Sequence, residues 1–256
     1  MSTSYDSQKI SAMREGGRVL AQIRDQLPAM TRPGMSFAEI EAKVTALVKE
    51  AGMKPSFSTV PGYHWTTCVM RNNELCHGIP AKDKHVKPSD LVTIDLGLIN
   101  QGYHLDTTIS FQVKPFTPEV QEFLNIGKKS LRKAINKVKA GASVYQVSQA
   151  MERVLVRHGL GVVYQLTGHG VGEELHMDPV IPCLAVPETK RDILKSGQTI
   201  AVEVMYTSGE PHLEVDTDGW TYKTVDGSLS AMFEETVLVT DKGFEILTKA
   251  VKVSAN

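Results

Sequence analysis

Behind Ser36, apolar residues fall at Phe37, Ile40, Val44, Leu47 and Val48, the spacing of one face of a helix. Ser36 and Glu39 form the capping box that starts such a helix, and Gly52 offers its stop. The scheme returns behind Ser143. There Gln146 takes the capping-box position, Val144, Val147, Met151, Val154 and Leu155 form the stripe, and Gly159 ends it. Each helix is preceded by a predicted antiparallel helical partner, over residues 7–27 and 118–139, the second started by Pro118. Downstream the pattern changes to that of strands. Lys87-Pro-Ser-Asp-Leu-Val-Thr-Ile-Asp95 matches Lys195-Ser-Gly-Gln-Thr-Ile-Ala-Val-Glu203, each a turn feeding β-formers that carry one acid. The chain thus predicts a single domain, 1–256, of two helix–helix–strand halves, 1–115 and 116–256, each delivering a carboxylate from a strand.

The stretch from Leu91 to Val113 predicts a hairpin turning near Asn100-Gln101-Gly102. Symmetric pairing sets Asp95 directly opposite Asp106, where like charges are destabilising unless a proton or a shared cation intervenes. A bulge at Gly102, or one acid facing water, would also remove the conflict, and the hairpin alone leaves these readings open.

Composition narrows the picture further. With 22% charged residues and a net charge of −1, nothing favours bulk binding to nucleic acid or anionic membranes. Cys68, Cys76 and Cys183 form no CxxC pair, which suits a reducing compartment and a cytoplasmic protein. The start Met1-Ser-Thr-Ser-Tyr-Asp6 has no basic stretch followed by an apolar one, so no secretory signal is expected. No apolar run reaches the roughly 18 residues of a membrane helix.

The segment Gly168-His-Gly-Val-Gly-Glu-Glu-Leu-His176 tips the balance towards a metal. His169 lies between glycines that permit close approach, beside candidate acid strands. A GxGxxG fingerprint fails here because it needs glycine at Glu173, and HExxH, GxSxG and Walker motifs are missing.

Cys76-His-Gly-Ile-Pro80, Thr93-Ile-Asp95, Gly102-Tyr-His-Leu-Asp106-Thr, Gly168-His169-Gly and the Glu203 strand form a larger set with Asp218-Gly-Trp220-Thr and Ser228-Leu-Ser-Ala-Met-Phe-Glu234. On these motifs the chain resembles the type I methionine aminopeptidases over nearly its whole length. The resemblance implies the α+β "pita-bread" fold, two pseudo-symmetric halves with a central antiparallel sheet and flanking helices. It implies metal-dependent removal of N-terminal methionine from nascent polypeptides, favouring a small second residue, by a cytoplasmic monomer. It further implies two divalent ions (Co, Mn, Fe or Zn) held by Asp95, Asp106, His169, Glu203 and Glu234, with Asp106 and Glu234 bridging. An oxygen-rich set with one imidazole suits such ions, and a pair of them can activate water and stabilise an oxyanion. By the same resemblance Glu203 shuttles a proton, His77 and His176 contact the substrate amide and the tetrahedral intermediate, and Tyr63, Cys68 and Trp220 line the methionine pocket.

Some residues depart from the family pattern: Leu175 before His176, Trp65 within a shortened 61–68 loop, Glu235 after Glu234, Val204 after Glu203, and Pro182-Cys183. Extending the internal repeat nominates Glu214 as the partner of Asp106, whereas the longer motif nominates Glu234. Proline-specific aminopeptidases and prolidases share the metal set, and a binding protein that lost catalysis is the non-enzymatic alternative. Lys128, Lys129, Arg132, Lys133 and Lys137 face away from the apolar Leu124, Leu131, Ile135 and Val138, as a solvated helix face or a contact with the ribosome.

Overall fold

In a computed structural model that describes residues 7–249, a helix pair opens each half of the chain. The Met1–Asp6 segment, and with it the expectation of no secretory signal there, lies outside these residues. In the first half, α1 (Ser7–Met30) and α2 (Phe37–Glu50) precede β1 (Lys54–Pro55), β2 (Thr67–Arg71), β3 (Glu74–Cys76), β4 (Leu91–Asn100) and β5 (Tyr103–Gln112). In the second, α3 (Pro118–Ile135) and α4 (Val144–Arg157) precede β6 (Gly161–Val162), β7 (Thr167–Gly170), β8 (Met177–Pro182) and β9 (Thr199–Thr207). The chain continues through β10 (Leu213–Val215), β11 (Tyr222–Thr224), β12 (Ser230–Val239) and β13 (Phe244–Ile246). One antiparallel sheet runs β1-β4-β5-β12-β9-β7-β8, and β10, β11 and β3 form a smaller one.

The capping chemistry is where the sequence expects it. Glu39 accepts from the Ser36 amide at 2.7 Å, and Gln146 accepts from the Ser143 amide at 3.0 Å. The α3 helix stops at Ile135, short of the expected 139, because the amides of Lys137 and Val138 turn to i−3 carbonyls. At its other end the first helix runs on to Met30, with Pro28 inside it.

The two helix pairs are tied in the same way to the segments that lead into β4 and β9. The Phe37 amide donates to the Lys84 carbonyl, and the Val144 amide to that of Asp192. The Gly34 amide bonds Val86 and the Gly141 amide bonds Leu194, and each N-cap serine forms a bridge, Ser36 to His85 and Ser143 to Ile193. These contacts recur at the near-constant sequence offset that separates Asp95 from Glu203. Both pairs also lie on one face of the sheet. Gly16 of α1 abuts Leu98 and Leu105, and Gly127 of α3 abuts Tyr206, all on the face opposite the acids.

The hairpin differs from the symmetric expectation. Gln101 and Gly102, with φ of 50° and 91°, form a two-residue turn of the I′ kind, and pairing closes at Asn100↔Tyr103 without a bulge. Asp95 therefore faces Thr108, and Asp106 faces Gly97. The turn is centred later than assumed, which slides the strands by two residues. The acids stay on one face as diagonal neighbours.

Candidate metal centre

Four strands contribute to one transverse row. Asp95 of β4 pairs with Thr108 of β5, Thr108 with Glu234 of β12, and Glu234 with Glu203 of β9. Strand alternation puts this row, and Asp106 two residues along β5, on the face away from the helices. His169 joins from β7, paired with Ala201, two residues from Glu203. Its flanking glycines permit this: a Cβ on Gly168 would lie 2.6 Å from the Ala201 carbonyl oxygen, and one on Gly170 would lie 2.2 Å from that of Asp178.

All the acids of the row are buried. Thr108 Oγ1 lies 2.7 Å from Asp95 Oδ1 and 2.9 Å from Glu234 Oε2 and shares its single proton between them, while among the described residues Asp106 Oδ1 and Glu234 Oε1 have no hydrogen-bond partner. Donor atoms of Asp106, His169 and Glu234 converge within 4.8 Å of one another. Burial, reinforced by the neighbouring acids, holds Asp106, Glu203 and Glu234 well above the usual carboxylate range. Burial also lifts Asp95 to about 6, against hydrogen bonds from Thr108 and Asp106. His169 is pushed down to about 4 by burial and by His176, so its ring is neutral at pH 7 and has a lone pair to offer. Its Nδ1 lies 2.9 Å from the Gly170 carbonyl oxygen; a proton on Nδ1 leaves Nε2 for a ligand.

The row forms the floor of a cavity of about 290 Å³. On its wall, Tyr63 stacks edge-on against Trp220 at 5.1 Å, and its hydroxyl donates to the Thr67 carbonyl at 2.9 Å. Cys68, Phe57, Leu175 and Met232 add apolar surface. His77 and His176 reach the same cavity, both with pKa values lowered by burial. The His176 ring stands edge-on to His169 at 4.5 Å, and His77 adopts φ of 55°, an uncommon conformation for a non-glycine residue.

A family model described as metallopeptidase family M24 matches residues 11–241. The chain belongs to metallopeptidase family M24. Methionine aminopeptidase 1 of Bacillus subtilis is 34% identical over 241 residues, covering 94% of this chain and 96% of that protein. Methionine aminopeptidase of Escherichia coli is 34% identical over 240 residues, 93% of this chain and 90% of its own. A crystal structure of methionine aminopeptidase from Thermotoga maritima superposes with a TM-score of 0.91 at 36% identity, covering 95% and 97% of the two chains. Prolidase from Pyrococcus furiosus, at 23% identity and a TM-score of 0.78, covers 97% of this chain and 66% of its own length, and shares the fold. This is the pita-bread architecture that the sequence resemblance implies.

Metallopeptidases of family M24 use divalent metal, and this chain has the chemistry to hold it. Oxygen-rich donors, a neutral imidazole and two orphaned carboxylate oxygens make a site that is costly without a cation. Every residue expected at the site lines the one cavity: His77, Asp95, Asp106, His169, His176, Glu203, Glu234, Tyr63, Cys68 and Trp220. Glu214 does not; it is exposed on β10, 3.5 Å from Lys223. Glu235 turns to the helix side and pairs with Arg24 at 2.8 Å. Sequence reasoning missed Thr108, which its alternation with Asp106 could have flagged, and Arg24, which no local pattern singles out.

Proposed function

We propose that this chain is a methionine aminopeptidase that hydrolyses the first peptide bond of nascent polypeptides beginning with methionine, favouring a small second residue. The convergence of Asp106, His169 and Glu234 on the floor of an apolar pocket carries this reading. The 34%-identical relatives named methionine aminopeptidase agree with it.

In this reading the single domain has two pseudo-repeated halves, and it holds two divalent ions through Asp95, Asp106, His169, Glu203 and Glu234. Asp106 and Glu234, each with one oxygen that has no partner among the described residues, would be shared between the ions. When bound, such ions supply Lewis acidity towards the scissile carbonyl and activate water at neutral pH. Glu203 accepts the proton of the attacking water and delivers it to the leaving amine, a task suited to a buried carboxylate that lines the same cavity as the ligands. His176 and His77, kept neutral, donate hydrogen bonds to the carbonyl oxygen as charge develops there and to the substrate amide. Tyr63, Cys68 and Trp220 hold the methionine side chain, whose thioether attracts the aromatic edges weakly. The protein works as a cytoplasmic monomer, and the exposed lysines of α3 meet the ribosome. The test is to chelate the protein, restore Mn²⁺, Co²⁺, Fe²⁺ or Zn²⁺ singly, and assay Met-Ala-Ser, Met-Arg and Xaa-Pro peptides. Release of free methionine from Met-Ala-Ser alone supports the proposal, and equal cleavage of Met-Arg contradicts the small-residue preference. Cleavage confined to Xaa-Pro contradicts the proposal outright.

A further inference from the structure

The two halves of the large sheet meet at a short seam. β4 and β5 pair over ten positions and β9 and β12 over nine, but β5 and β12 pair only at Thr108↔Glu234 and Thr107↔Glu235. Beyond those pairs, side-chain hydroxyls take over the ladder. At one end Ser110 Oγ donates to the Met232 carbonyl at 2.7 Å and accepts from its amide at 3.0 Å. At the other, Thr236 Oγ1 donates to the Asp106 carbonyl at 2.8 Å and accepts from its amide at 3.0 Å. Both acids assigned as bridging ligands stand at this seam: Glu234 at one of its two backbone pairs, and Asp106 just beyond them, where the Thr236 hydroxyl replaces the ladder.

A largely enclosed ion pair crosses the seam on the helix side. Arg24 of α1 donates through Nη1 to Glu235 Oε2 at 2.8 Å and to Thr107 Oγ1 at 3.0 Å, and Thr107 Oγ1 donates onward to the Glu234 carbonyl at 2.8 Å. From the other side Thr248 Oγ1 donates to Glu235 Oε2 and accepts from the Thr236 amide at 2.9 Å. One guanidinium is thus linked to the backbones of Glu234 and Thr236, and Thr236 in turn grips Asp106. Arg24 and Glu235 are 11% and 20% exposed, too enclosed for an ordinary surface pair. We propose that Arg24 and Glu235, acting through Thr107 and Thr248, are positioning residues that clamp the seam and hold the Asp106 and Glu234 carboxylates at the separation a metal pair requires.

This rests on the ligand set proposed above, and the experiment keeps the two apart. Apoprotein is titrated with Co²⁺ by calorimetry, and the visible spectrum of the loaded protein is recorded. The variants are Arg24→Met/Glu235→Leu, which removes both charges together, Thr107→Val, Thr107→Ser and Glu234→Gln. Removing a buried pair as a unit is often neutral for stability. The double variant should therefore keep its thermal midpoint without metal, while its Co²⁺ affinity falls by roughly 10- to 100-fold and its spectrum changes, as when partners that orient metal ligands are lost. Thr107→Val, a milder change that keeps the ion pair, should shift affinity the same way, and Thr107→Ser should restore it. Wild-type Co²⁺ affinity and spectrum in both Arg24→Met/Glu235→Leu and Thr107→Val, with binding lost in Glu234→Gln, would overturn the clamp and leave the ligand set standing. Full binding in Glu234→Gln would overturn both.

Discussion

Glu234→Gln should stabilise the metal-free protein and abolish the metal pair at once. In the folded chain Glu234 is 3% exposed, and its donor oxygen lies within 4.8 Å of one from Asp106. At an effective dielectric near 20, two full charges at that distance repel by roughly 3 kcal/mol, and a shared proton lowers the figure. An amide removes the repulsion, still accepts from Thr108, and gives a donor beside the unpartnered Asp106 Oδ1. The metal-free variant should therefore gain about 1–3 kcal/mol, a rise in Tm of roughly 2–12 °C. The same change deletes a bridging negative ligand, so the rise in Tm that metal gives the wild type should disappear. Differential scanning calorimetry with and without Mn²⁺, combined with metal analysis of the purified variant, measures both effects. Two ions per chain in Glu234→Gln would refute this reasoning, as would a metal-free variant less stable than wild type. Glu214→Gln, on the small sheet, should change neither quantity.

His176→Ala should lower kcat about 10²-fold or more while keeping metal stoichiometry, since His176 is assigned to the developing oxyanion; a variant purified without metal would make it a ligand. Because burial keeps Asp106, Glu203 and Glu234 protonated above their ordinary range, metal uptake must release protons and tighten as pH rises. Calorimetry at pH 6, in buffers of different ionisation enthalpy, checks this, and zero proton release there would contradict it. The same upward shifts make these carboxyls bind more protons in the metal-free fold than in the unfolded chain as pH rises above the ordinary carboxylate range. His169, lowered to about 4, acts in the opposite sense, so in a His169→Asn variant without metal Tm should fall as pH rises from about 4 to about 6, the range over which Asp95 titrates. Gly127→Ala should cost about 1–3 kcal/mol despite its better helix propensity, a drop in Tm of roughly 2–12 °C. The new Cβ would lie 2.2 Å from the hydroxyl of buried Tyr206, which must then give up its 2.8 Å bond to the Phe123 carbonyl; an unchanged Tm would show that α3 can shift freely.

Local signals carried much of the architecture. Ser36 with Glu39 and Ser143 with Gln146 announce their helices because capping is short-range chemistry, and the repeated stripes behind them match the buried faces. Register was harder, because it depends on which two residues adopt positive φ; Gln101-Gly102 does so, and the facing partner of Asp95 changes from Asp106 to Thr108. Extending the repeat to Glu214 fails for a related reason: β10 leaves the large sheet for a separate one, so equal spacing in sequence no longer means an equal place in space. Alternation correctly predicts that Glu234 and Glu235 part to opposite faces. What covers Glu235 is not local, since Arg24 lies at the far end of the chain in an unremarkable helical stretch.

Metal binding by the row of buried acids with His169, for removal of an N-terminal methionine, is what the proposed function rests on. Its most direct test is release of free methionine from Met-Ala-Ser by chelated protein, before and after graded return of Mn²⁺ or Co²⁺. No release before addition, with activity rising until two ions are bound per chain, is the predicted result. Full activity after exhaustive chelation, or no release at any metal loading, would contradict it.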